Sequence, residues 1–132
     1  MKILLRCIAP STAAAIWILS SQSRLPVIKG VFGIDKVQHI LAYAVLAVGV
    51  AFWFSRARWK VHAAQTLVVA ACIASLYGVT DEVHQHFVPG RDCNVWDWAA
   101  DTIGALLGAA LYWRVLKFKE LGWPFKGLTN KN

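Results

Sequence analysis

Three short stretches of the chain concentrate the side chains able to move a proton, hold a cation or grip a phosphate. In the first, Asp35, Lys36, His39 and Tyr43 follow one another at intervals of one, three and four residues. On a helix this places His39 and Tyr43 on one face, with the acid and the base a turn before them. Asp35 with Gln38 also has the spacing of a capping box, which gives Asp35 a structural use at a helix start but leaves His39 and Tyr43 unexplained. The second stretch is Tyr77-Gly78-Val79-Thr80-Asp81-Glu82-Val83-His84-Gln85-His86. If a helix persists through it, Ala71, Ser75, Gly78 and Glu82 form a narrow stripe that lets another helix approach and presents a carboxylate to it. His84 and His86 are metal candidates by type. Two residues apart, they cannot share a helix face, and His-x-x-x-His or Glu-x-x-His spacing is absent.

The third stretch opens with the turn Val88-Pro89-Gly90-Arg91, after which a helix restarts. Asn94 is a good N-cap with Asp97 at the third helical position, a structural explanation for that acid. Asp101 lies one turn deeper, on the face of Asp97, Gly104 and Gly108. An ionised acid costs about 2.5 to 3.5 kcal/mol at the centre of a bilayer and less near its edge, so Asp101 must face protein or water. Gly104 and Gly108 are read as a packing surface.

The elements that carry these residues follow from composition. The chain has 132 residues, 58% hydrophobic and 16% charged. Soluble domains run about 45 to 50% apolar and about 25% charged, so both values are displaced toward what lipid selects. Disorder, a collagen-like rod and a disulfide scaffold are excluded together. Four apolar runs, residues 3–20, 37–54, 61–79 and 95–116, each have the length of a helical span, and Pro, Gly and charged clusters separate them. Backbone groups cannot stay unpaired in lipid, and the runs are too long and unalternating for barrel strands. The expected fold class is therefore an all-α membrane protein, a four-transmembrane-helix bundle over residues 1–119. A polar tail, 120–132, is expected to fray. Lys2 and Arg6 ahead of Ala13-Ala14-Ala15 also resemble a secretory signal, but the apolar run continues through Ile16 to Leu19 and reaches spanning length.

Basic residues set the orientation. With four spans, one side receives Lys2, Arg6, Arg56, Arg58, Lys60, Arg114, Lys117, Lys119, Lys126 and Lys131, and the other only Arg24, Lys29, Lys36 and Arg91. That asymmetry places both termini in the cytoplasm of a multi-pass protein of the cell (inner, cytoplasmic) membrane. The formal net charge of +7 is then an inner collar facing anionic headgroups, while Asp35, Asp81, Glu82, Asp92, Asp97 and Asp101 lie at the outer side. Because the basic residues are dispersed over short segments, nucleic acid is not an expected partner. Cys7, Cys72 and Cys93 fall at different depths and are not expected to pair. Trp96, Trp98 and Tyr112-Trp113 mark the two interfaces of the last span.

Read together, these motifs resemble a known family. Ser20-Ser21-Gln22 closing the first span, Asp35-Lys36-x-x-His39-x-x-x-Tyr43, Tyr77-Gly78 with Asp81-Glu82 and Gln85, Phe87-Val88-Pro89-Gly90-Arg91, Asp97 and Gly104-Ala105-x-x-Gly108 are similar to the VanZ-like integral membrane family, in order from about Leu19 to Gly108. The resemblance implies a small multispan cell-envelope protein. The family takes its name from a protein that gives low-level teicoplanin resistance, so the name carries a phenotype and no reaction. Asp101 departs from the pattern, since many relatives have Asn there; a mechanism needing an uncharged amide at that place is put in doubt.

If the outer helix ends converge, a mixed-charge cleft results, with Asp35, Lys36, His39, Tyr43, Asp81, Glu82, Gln85, Arg91, Asp97 and Asp101 as candidate ligand-binding residues. The leading expectation is binding of an anionic envelope molecule, a lipid-linked wall precursor or a phospholipid headgroup, with Arg91 and Lys36 as phosphate donors. The structural alternative is that these charges pair only to fix the bundle. An enzyme reading makes Glu82 or His39 the general base of a membrane hydrolase or transferase, with a divalent metal held by Asp81, Glu82, His84 or Asp101. A transporter reading uses Asp101 and His39 as a proton relay. No cofactor is expected; membrane lipids and a second copy of the chain are the remaining candidate partners.

Overall fold

A computed structural model of the chain describes residues 2–23 and 33–120. Arg24, Lys29 and the tail beyond Glu120, which figured in the charge count, lie outside the described residues. The elements are helices throughout: α1 (Lys2–Arg6), α2 (Ile8–Ser20), α3 (Ile34–Ala51), α4 (Arg56–Val61), α5 (Ala63–His86) and α6 (Val95–Glu120).

The first apolar run is expected as one helix but is broken at Cys7. Pro10 is the cause. It has no N–H to offer the carbonyl of Arg6 four residues earlier, and its ring crowds that carbonyl, so the chain turns before Pro10 and restarts with it in the first helical turn. The released Arg6 carbonyl accepts from the Trp53 indole at 3.0 Å, which ties this break to the end of α3. The third run is longer than expected: α5 continues past Val79 to His86.

Close contacts fix the helix directions. Ala9 lies against Gly49, and Arg6 meets Trp53, so α2 and α3 are antiparallel. Ser75 meets Thr102 and Glu82 meets Asn94, so α5 and α6 are antiparallel. Gly104 and Gly108 sit on the α3 backbone at Ile40 and Ala44, which makes α3 and α6 parallel neighbours. Tyr77 bonds to Ala13 and His84 to Ser21, so α2 and α5 are parallel. The C-terminal ends of α2 and α5 therefore gather with the N-terminal ends of α3 and α6 at one end, which holds most of the acids. The other end carries the basic residues of α1, α4 and the close of α6.

The radial arrangement is the reverse of a water-soluble bundle. Ala47, Ala70, Ala74, Ala105 and Ala109 are fully buried, while Leu41, Val45, Leu76, Leu107 and Leu111 lie on the surface. Water would drive the large side chains inward; lipid, as apolar as leucine, leaves close packing of small residues to join the helices. Two helices among the described residues, α3 and α5, are long and apolar enough to cross a membrane. At 13 residues α2 is shorter, and α6 carries Asp97 and Asp101 in its first two turns.

Candidate functional site

The acid-rich end is built from three helices and the loop before α6. On α3 the expected capping role of Asp35 is not found. Gly33, with φ of 80°, is the N-cap and no side chain caps the helix. A left-handed backbone there suits glycine, and Asp35 stands two positions inside the helix rather than at its cap. It pairs instead with Lys36 at 2.7 Å. Lys36 also forms an ion pair with Asp97, linking the starts of α3 and α6.

One turn further in, His39 Nδ1 lies 2.8 Å from Asp101 Oδ1. Asp101 is 0% exposed. The burial is made possible by Gly78 on α5, where a Cβ would stand 2.8 Å from Asp101 Oδ2 and 3.3 Å from the Tyr43 ring. Tyr43, a further turn down α3, is also buried, and its hydroxyl has no partner among the described residues.

Helix α5 contributes its inward face. Ala71, Ser75, Gly78 and Glu82, the stripe that a persistent helix would present, are all buried, as are Asp81 and Gln85. Glu82 Oε2 accepts the backbone N–H of Asn94 at 2.8 Å and so fastens the loop to the start of α6. Asn94 caps that helix, its side chain accepting from the Trp96 N–H at 3.0 Å. Asp81 accepts from the Gln85 amide at 2.9 Å. A hydrogen-bonding seam below the acids joins α5 to α6, with Ser75 and Thr102 hydroxyls 2.7 Å apart and the Trp98 indole on the Ser75 carbonyl. Trp98, expected to mark an interface, is part-exposed and also ties α6 to α5 through its indole N–H.

One ligand-capable atom each from His39, Glu82 and Asp101 lies within 4.8 Å of the others. Asp81 Oδ1, Glu82 Oε1 and Asp101 Oδ2 are buried without a hydrogen-bond partner among the described residues, as is Arg91 Nε. The two histidines nominated by type are placed elsewhere. His84 stacks on Trp17 with ring centroids 3.8 Å apart and bonds to Ser21 at 2.9 Å, a packing role between α5 and α2. His86 is exposed beside Phe87. The helix through this stretch keeps the two on different faces, so a His-x-His pair does not form.

The family model described as VanZ/LLP1 matches residues 4–117. The chain belongs to the VanZ/LLP1 family. No curated protein and no solved structure shows significant similarity to it. Membership and the two long apolar helices together point to a membrane protein. In this VanZ-like chain the separated motifs come together: Asp35, Lys36 and Asp97 in one ion-paired group, and His39, Glu82 and Asp101 in a second cluster, with Tyr43 and Gly78 beside Asp101. Sequence reasoning named His39 and Asp101 together only as a proton relay; the structure brings them into direct contact. The signal for that contact was present, since His39 is three residues after Lys36 and Asp101 four after Asp97, and those outer residues pair.

Proposed function

We propose that this VanZ-like protein is a four-span, multi-pass protein of the cell membrane with both termini in the cytoplasm. Residues 1–119 make one membrane domain, and the acid-rich end binds the phosphate-bearing headgroup of an anionic envelope lipid or lipid-linked wall precursor. The alternating helix directions, the outward leucines and valines and the basic opposite end support the topology. The observation that carries the binding reading is Arg91: its guanidinium Nε is buried and has no partner among the described residues. A guanidinium held in that state is completed by a planar or tetrahedral oxyanion, to which it donates in a forked geometry. Lys36, the other expected donor, is already taken by Asp35 and Asp97, so Arg91 bears the larger share. A link to glycopeptide (teicoplanin) resistance belongs to the same reading, through retention of the wall precursor.

The test is native mass spectrometry of detergent-released protein with phosphatidylglycerol. Arg91→Gln is expected to lower lipid retention about tenfold, the worth of one charge-assisted pair of about 1.5 kcal/mol. Retention equal to wild type would overturn the reading.

The contact of His39 with Asp101 favours a second reading, a hydrolase or transferase acting on a lipid-linked substrate. A carboxylate that orients an imidazole is the arrangement of a general base. It requires His39→Gln to abolish turnover while lipid retention persists. A transporter finds less support, because the core beyond Tyr43 is lined by Ala47, Val50, Ala70, Ala105 and Ala109.

A further inference from the structure

We propose that His39 of α3, Glu82 of α5 and Asp101 of α6 form a binding site for one divalent first-row transition-metal ion, of the Mn2+ or Zn2+ kind. The three side chains come from three helices, and one potential ligand atom of each lies within 4.8 Å of the other two. Glu82 is 4% exposed and Asp101 0%. Each carboxylate has one oxygen engaged, Glu82 Oε2 by the Asn94 N–H and Asp101 Oδ1 by His39, and each leaves the second oxygen buried and unpartnered among the described residues. A carboxylate fixed through one oxygen and bare at the other is a preoriented ligand. Left empty, such atoms forfeit their hydration without replacement; one cation between them satisfies both.

Charge leads to the same place. Asp81, Glu82 and Asp101 are three buried acids at one end of the bundle. Lys36 is committed to Asp35 and Asp97. The donor set then selects the ion. All-oxygen cages suit Mg2+ and Ca2+, whereas one imidazole nitrogen with two carboxylates suits the nitrogen- and oxygen-binding first-row ions. Three protein ligands leave coordination positions open.

This site does not rest on the headgroup reading, because its probe is the metal alone. Full-length protein in nanodiscs, stripped with chelator, is titrated with Mn2+ and followed by the loss of the free-ion electron paramagnetic resonance signal, with Zn2+ as competitor. One ion per chain is expected, with at least tenfold weaker binding in His39→Gln, Glu82→Gln and Asp101→Asn, and less than twofold change in His86→Gln. The absence of saturable binding by wild type overturns the site, as does full binding in all three variants or its loss in His86→Gln. Should a variant fail to fold, electron spin-echo modulation on the wild type decides. A directly bound imidazole nitrogen is expected, and a spectrum without it overturns the proposal.

Discussion

Tyr43 and His84 separate what individual residues do in this protein. Tyr43 is 1% exposed and its hydroxyl has no partner among the described residues. Removing a buried, unbonded hydroxyl removes an unfavourable group, so Tyr43→Phe should leave thermal stability in detergent unchanged or raise it by about 1 kcal/mol. A marked loss of stability would mean that the hydroxyl is bonded. His84 behaves in the opposite way. Its stacking on Trp17 and its bond to Ser21 hold α5 to α2, and His84→Ala should destabilise by about 1 to 2 kcal/mol while Mn2+ uptake at His39 persists. Type alone nominated His84 for a metal and spacing counted against it, but what claims its ring instead is an aromatic 67 positions earlier.

At the scale of elements, the contact between α3 and α6 is where sequence pattern and packing agree most closely. A Cβ on Gly104 would stand 2.3 Å from the Ile40 carbonyl oxygen, and one on Gly108 2.1 Å from that of Ala44. These neighbours are backbone and cannot yield by a rotamer change. Gly104→Ala and Gly108→Ala should each destabilise by about 1 to 3 kcal/mol or force α6 outward. Gly33→Ala meets no atom within 4 Å and suffers only the left-handed backbone of its φ of 80°, about 1 kcal/mol. Equilibrium unfolding of the three variants checks the order; equal losses would remove the packing argument. Because α3 and α6 are parallel, a shift of one helix would move the ion pairs of Lys36 and Asp97 and the contact of His39 with Asp101 together. The break at Cys7 was not legible as such: Pro10 was visible, but nothing local in the sequence shows that Trp53 would take up the freed Arg6 carbonyl.

For the whole molecule the decisive property is polarity between two ends. Six of the seven acids and His39, His84 and His86 gather where α3 and α6 begin, and Arg6, Arg56 and Lys119 border a groove of about 830 Å³ at the opposite end, floored by Phe52, Tyr112 and Leu116. The three cysteines are free and exposed, Cys7 toward the basic end, Cys72 along α5 and Cys93 in the loop before α6. If the proposed topology holds, a membrane-impermeant maleimide added to intact cells should label Cys93 and spare Cys7; labelling of Cys7 alone would invert the topology. Cys72, exposed on a long apolar helix, should resist a polar reagent in the bilayer and react after solubilisation.

The sequence by itself determined the class of the molecule: the excess of apolar residues and the lengths of its runs are properties of composition and local spacing, and with family membership they point to a membrane protein. It also nominated nearly every residue of the polar end, because helical periodicity places His39 with Tyr43, and Asp97 with Asp101, before any tertiary contact exists. Which of these meet was decided only by tertiary structure. The pairing of His39 with Asp101 across 62 positions, the seat that Gly78 leaves for that carboxylate and the diversion of His84 to Trp17 depend on helix directions and on how closely small residues let backbones approach. Those are long-range quantities, fixed when the helices pack, and no periodicity within one segment contains them.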